Sequence, residues 1–118
     1  MSSNIYEIPF LPPSVNSCYR TYRGKIIKSA GLREFEQEIL QFFDNVENIT
    51  PLKGYIKLTV TFYLKGKRTI DLDNLLKALL DGLEGILYEN DKMITVINAR
   101  KFNNAESPKT IIELEEID

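Results

Sequence analysis

The segment Tyr55–Leu64 constrains the fold more than any other stretch of the chain. Ile56, Leu58, Val60, Phe62 and Leu64 alternate with Tyr55, Lys57, Thr59, Thr61 and Tyr63. In an extended chain, successive side chains point to opposite faces, so this spacing predicts a strand with one apolar and one polar face. A few residues later the period changes. From Asp73 to Leu87, the residues Leu75, Leu76, Leu79, Leu80, Leu83, Ile86 and Leu87 recur at three- and four-residue intervals. At about 100° per residue they fall within an arc of ~140°, the core face of a helix. Asp73, Lys77, Asp81 and Glu84 fall within roughly 80° on the opposite side.

The other segments supply partners for this strand and helix. Asn4–Phe10 reads as a short strand, ended by Leu11-Pro12-Pro13-Ser14 because proline cannot donate to a ladder. Ser17–Tyr22 and Lys25–Lys28 flank Arg23-Gly24, a tight hairpin with glycine at positive φ. Ser29 is placed to cap a helix whose core stripe is Leu32, Phe35, Ile39, Phe42 and Val46. Arg33, Glu34, Glu38, Asp44 and Glu47 lie opposite. Met93–Phe102, rich in β-branched residues, and Thr110–Ile117 are two more strands. The turn-forming residues Asn103–Pro108 between them predict an antiparallel hairpin. The expected order is β-(ββ)-α-β-α-β-β, an α+β fold with a compact mixed sheet and two main helices packed on one face. A length of 118 residues and a hydrophobic content of 43% fit one domain with one core, spanning 1–118. No apolar run approaches membrane-spanning length and the N-terminus lacks a signal-peptide pattern, so a soluble, cytoplasmic protein is expected.

Several chemistries are excluded by what the chain lacks. There are no histidines, which removes Ser-His-Asp and Cys-His catalysis and histidine-ligated zinc. The single cysteine, Cys18, can form neither an internal disulfide nor a thiolate metal site. Hydrolytic chemistry would have to rest on carboxylates, lysine, hydroxyls or a hard cation, and oxygen ligands favour magnesium or manganese. The net charge of −2 argues mildly against nucleic-acid binding. Its distribution argues the other way: acidic residues crowd the C-terminus, while basic ones gather at Arg20–Lys28 and Lys65–Arg68, and an acidic protein can present a basic face. In the hairpin Arg20, Arg23, Lys25 and Lys28 interleave with Tyr19 and Tyr22. That mixture describes either a phosphate-contacting flap or a solvated hairpin whose tyrosines pack on the sheet.

The chemistry concentrates in Lys65–Asp91. A basic cluster, Lys65, Lys67 and Arg68, precedes Asp71 and Asp73. Were Asp71 helical it would point roughly 160° away from Asp73; at the end of an extended segment the two share a side. Adjacent carboxylates repel unless a cation lies between them or one is protonated. Asp91, beyond the helix, can return to the same pocket if the chain turns back there. Each feature has a plainer explanation. Asp71 or Asp73 could be a helix N-cap, Lys77 a surface partner of Asp73 and Asp81, Asp91 a turn residue, and the basic cluster an ordinary loop. On residue types alone a cap is the commoner origin of Asp-x-Asp. The coincidence of all these features within 27 residues favours a site.

The segment DLDNLLKALLDGL, with basic residues before it and a loop ending in Asp91 after it, resembles the signature of the RusA Holliday-junction resolvases. PPSVNSCYR resembles the family's Pro-Pro-Ser-x-Asn-x-x-Tyr segment, and the resemblance implies supporting roles for Asn16 there and for Asn74, which follows Asp73 as in the family motif. The resemblance implies that Asp71, Asp73 and Asp91 are metal-binding catalytic carboxylates with Lys77 beside them. It further implies a homodimer, often phage- or prophage-encoded, that binds four-way DNA junctions and nicks two opposing strands with Mg²⁺ or Mn²⁺. No other cofactor is implied. Arg20, Arg23, Lys25, Lys65, Lys67 and Arg68 are the candidate DNA contacts. The chain departs from the family where Thr69 and Ile70 separate the basic cluster from Asp71, and where Asn90 replaces an acidic residue. The competing readings are a non-catalytic DNA-binding or phage accessory module, and a small metal-dependent phosphohydrolase or nucleotidyltransferase. The absence of a glycine-rich phosphate loop counts against the last.

Overall fold

A computed structural model describes residues 3–13, 19–28, 30–46, 49–67 and 70–117, with side chains for all of these except 3, 19–22 and 26–28. The expectations for Asn16, Ser29 and Arg68, and for the side chains of Tyr19, Arg20, Tyr22 and Lys28, lie outside the described residues.

The elements are β1 (Ser3–Ile8), β2 (Tyr19–Tyr22), β3 (Lys25–Lys28), α1 (Ala30–Asp44), β4 (Tyr55–Lys65), α2 (Leu72–Leu83), a 3-10 turn (Asp91–Met93), β5 (Ile94–Ala105) and β6 (Lys109–Ile117). Four strands form one mixed sheet in the order β1-β6-β4-β5, and β2-β3 form a separate two-stranded ribbon. The ribbon turns at Arg23 and Gly24, both at positive φ (51° and 77°), as a two-residue hairpin requires.

β4 is the strand its alternation predicts. Ile56, Leu58, Val60, Phe62 and Leu64 are all fully buried, and the residues between them are not. They form the floor of a core that α1 and α2 cover from one side. α1 contributes Leu32, Phe35, Ile39 and Phe43. The core position is thus Phe43 and not the expected Phe42, because the 35-39-43 row continues at four-residue steps and β1 supplies Tyr6 to meet it, with ring centroids 5.2 Å apart at 81°. Phe42 is half-buried beside it, edge-on at 5.0 Å.

α2 ends earlier than its apolar pattern suggests. It stops at Leu83, and Glu84 is already extended. Gly85 follows at φ +87°, a conformation that a side chain disfavours. The Gly85 N–H then donates to the Tyr88 carbonyl (2.7 Å) and the Leu87 N–H to the Leu83 carbonyl (3.1 Å). Leu87 remains in the core, but from a tight corner and not from a helix. Between the helices, Gly82 allows close contact: a Cβ there would stand 3.1 Å from Cε2 of Phe35.

The expected β5–β6 hairpin does not form. β4 lies between the two strands, parallel to β5 and antiparallel to β6. β4, α2 and β5 make a crossover unit, so the helix leads the chain back to start a parallel strand. β6 then enters on the other side of β4 and also pairs with β1. Two strand spacings, about 9–10 Å, separate β5 from β6. Glu106–Pro108 span that gap, within a reach of roughly 3.3–3.6 Å per residue. None of the described helices is long and apolar enough to cross a membrane.

Candidate active site

The polar face of α2 forms one wall of a shallow groove of about 290 Å³, lined by Asp73, Leu76, Lys77, Leu80, Asp81 and Asp91. The 3.6-residue period that buries Leu75, Ala78, Leu79 and Leu83 leaves Asp73, Lys77 and Asp81 in a row on the other side. Lys77 Nζ stands 3.5 Å from Asp81 Oδ2, an i,i+4 ion pair.

Asp71 sits at the N-cap of α2 with extended angles (φ −67°, ψ 140°). Its carbonyl accepts the Leu75 N–H at 3.2 Å, but its carboxylate makes no capping hydrogen bond. An aspartate serving only as a cap would use that carboxylate on the N–H groups of the first turn. The residue before it is tied from β5, where Lys101 Nζ donates to the Ile70 carbonyl at 2.5 Å.

Asp91 opens the 3-10 turn at the start of β5. Asn90 caps this turn by accepting the Lys92 N–H at 2.9 Å. The Asp91 N–H donates to Glu84 Oε2 at 2.9 Å. The Asp91 carboxyl is held above the usual carboxylate range, first by desolvation, then by the charge and hydrogen bonding of Glu84 and by the charge of Asp81. Lys77 pulls the other way. Beneath lies Tyr88, buried to 1% exposure, whose hydroxyl donates to the Leu80 carbonyl at 2.6 Å. Burial first, and then Asp91, Glu84 and Asp81, raise the tyrosine pKa.

Asp73, Lys77 and Asp91 therefore share one surface, joined by Asp81, while Asp71 stands at the helix start. They do not gather at a point: among the described residues no three Asp, Glu or Cys side chains lie close enough to hold a metal ion. Asp73 and Asp81 are eight residues apart, ~12 Å along the helix axis. Asn74 is half-buried in the first turn of α2, and Arg23, Lys25, Lys65 and Lys67 are exposed. Sequence reading assigned no role to Glu84, Tyr88 or Lys101. Glu84 was visible as the last member of the polar row; nothing local marks Lys101, whose partner lies 31 residues away.

The sequence profile described as Endodeoxyribonuclease RusA matches residues 9–115. Proteins named crossover junction endodeoxyribonuclease RusA from Escherichia coli O1:K1 / APEC, strain K12 and O6:H1 strain CFT073 are each 32% identical to the chain over 81 residues, 68% of either length. A match of this extent makes the chain a nuclease of the RusA endodeoxyribonuclease family.

Proposed function

We propose that this chain is a divalent-metal-dependent endonuclease, a single domain that resolves four-way DNA junctions by paired symmetric nicks. The substrate follows from the name its relatives carry, crossover junction endodeoxyribonuclease. The observation that carries the chemistry is the groove that sets Asp73, Lys77 and Asp91 on one surface. Asp71 stands at the start of the same helix with a carboxylate that makes no capping hydrogen bond.

In this reading Asp71, Asp73 and Asp91 would be the metal-binding carboxylates, for one or two Mg²⁺ ions with Mn²⁺ as substitute. Carboxylates are the ligands such hard cations take. Magnesium commonly uses only one or two of them and completes its shell with water and substrate phosphate, so each ion would take one or two of these carboxylates and not all three. When bound, the ion supplies Lewis-acid polarisation of the scissile phosphate and a more acidic water. Lys77, held by Asp81, places a positive charge along the groove where charge builds on the phosphate. Asn74 and Asn16 support the site. Lys65, Lys67 and Arg68, with Arg20, Arg23 and Lys25 of the β2-β3 ribbon, hold the DNA backbone. A two-fold junction cut at two symmetric points calls for a homodimer with two sites. A DNA substrate of this kind places the enzyme in the cytoplasm of a bacterial host.

Asp73→Asn tests the reading. With Mg²⁺ and a synthetic four-way junction, the variant should lose cleavage yet retain junction binding, because binding rests on the basic residues. Linear duplex serves as the control. Cleavage by this variant at the wild-type rate would refute the mechanism.

A further inference from the structure

We infer that Glu84 is a positioning residue for Asp91: its carboxylate, at the end of α2, holds the turn that presents the third aspartate. This inference rests on Asp91 being part of the catalytic group.

Four hydrogen bonds carry it. The Asp91 N–H donates to Glu84 Oε2 at 2.9 Å across a separation of seven residues, so the bond joins the end of the helix to the start of β5. Glu84 itself is placed by the helix end. Its N–H donates to the Leu80 carbonyl at 3.2 Å, and the same carbonyl accepts the buried Tyr88 hydroxyl at 2.6 Å. Tyr88 is in turn tied to the corner by the Gly85 N–H at 2.7 Å. The result is a closed chain of hydrogen bonds from the core to Asp91. Asn90 caps the 3-10 turn from its own side, through Lys92. Glu84 is therefore the contact that ties the Asp91 backbone to the element carrying Asp73 and Lys77. A ligand on a loop needs such support, because residues that orient a ligand without touching the ion still govern affinity and activity.

Glutamate serves here as an acceptor of an N–H, and glutamine offers an acceptor oxygen at the same reach. Glu84→Gln should therefore preserve the positioning and Glu84→Ala should abolish it. The first measurement needs neither metal nor DNA: hydrogen exchange at the Asp91 amide. We expect exchange about tenfold faster in Glu84→Ala, from loss of a charge-assisted bond, and little change in Glu84→Gln. The second measurement is junction cleavage across a Mg²⁺ titration. Glu84→Ala should need roughly 10–100-fold more Mg²⁺ for half-maximal rate, with junction affinity unchanged, and Glu84→Gln should recover most of the loss. If Glu84→Gln fell as far as Glu84→Ala in cleavage, the carboxylate charge would be acting directly and the positioning role would be wrong. Wild-type exchange and Mg²⁺ dependence in Glu84→Ala would overturn it as well. Failure of the underlying reading is separately visible: Asp91→Asn would then cut junctions at the wild-type rate, whatever the amide exchange shows.

Discussion

Replacing Asp91 by asparagine should stabilise the fold in metal-free buffer while abolishing cleavage. Desolvation first, then the neighbouring Glu84 and Asp81, raise the pKa of the Asp91 carboxyl, with Lys77 opposing. A group whose folded pKa lies above its unfolded value binds its proton more tightly in the native state. It contributes stability while protonated, and that contribution is lost as pH rises through the folded pKa. At neutral pH the ionised Asp91 is therefore a net cost, which asparagine removes. The site is exposed, so each like-charge pair is screened to a few tenths of a kcal/mol. Desolvation and two such pairs, less the attraction of Lys77, leave about 0.5 kcal/mol.

That figure converts to a melting shift. At ~2.1 cal/mol/K per residue, the unfolding entropy of this chain is about 0.25 kcal/mol/K, so 0.5 kcal/mol corresponds to a rise of about 2 °C. Calorimetric melts in EDTA at neutral pH and low salt would measure it. The shift should shrink at high salt and vanish at acid pH, where both forms of the site are uncharged. Adding Mg²⁺ should reverse the comparison, because ligand binding to the native state raises the melting temperature of the wild type and not of the variant. A lower melting temperature for Asp91→Asn at neutral pH without metal would refute the reasoning. So would a rise that ignored salt.

Tyr88→Phe removes the hydroxyl bonded to the Leu80 carbonyl but leaves that carbonyl its bond from Glu84. The expected loss is about 1 kcal/mol, or ~4 °C in calorimetry, and no change at all would show the bond to be inconsequential. Lys101→Met releases the Ile70 carbonyl beside Asp71. It should slow single-turnover cleavage by roughly tenfold with junction affinity retained, and an equal loss of affinity would make Lys101 a DNA contact instead.

What could be read from the sequence divides by physical cause. The β4 alternation and the α2 stripe are periodicities, which report a face buried against something; the first stands whole, and the second stands at Leu75, Leu79 and Leu83, while Leu76 and Leu80 are half-buried and line the groove. Neither periodicity names the partner. β5 is an edge strand with much of its length exposed, including Val96, Ile97 and Phe102, so its pattern carries little information about its neighbour. Two strand segments joined by turn-forming residues predict a hairpin, and β4 displaces it because the most apolar strand gains most by pairing on both edges. The early end of α2 was legible only at Gly85, against an apolar pattern that continues to Leu87. At the site, the row Asp73, Lys77, Asp81 follows from helical spacing. The place of Asp91 does not, since it depends on a bond to a residue beyond the helix end.

The crossover explains why the aspartates are spread and not clustered. β4 and β5 are parallel, so α2 must run back along them: its start lies over the end of β5 and its end over the start of β5. Two ties at the ends of α2 follow that geometry, Lys101 of β5 to the Ile70 carbonyl just before the helix, and Asp91 of the 3-10 turn to Glu84 just after it. A helix of 12 residues sets these ties about 18 Å apart. The polar row between them can serve one substrate only while the helix keeps its rotation, since a one-residue slip turns it by about 100° and carries Asp73 and Lys77 off the groove. Gly82 against Phe35 opposes such a slip on the buried side, and the Leu83–Tyr88 corner opposes it at the end. The packing that buries Leu75, Leu79 and Leu83 is thus also what aims the carboxylates, which couples the core of this nuclease to its chemistry through a single helix.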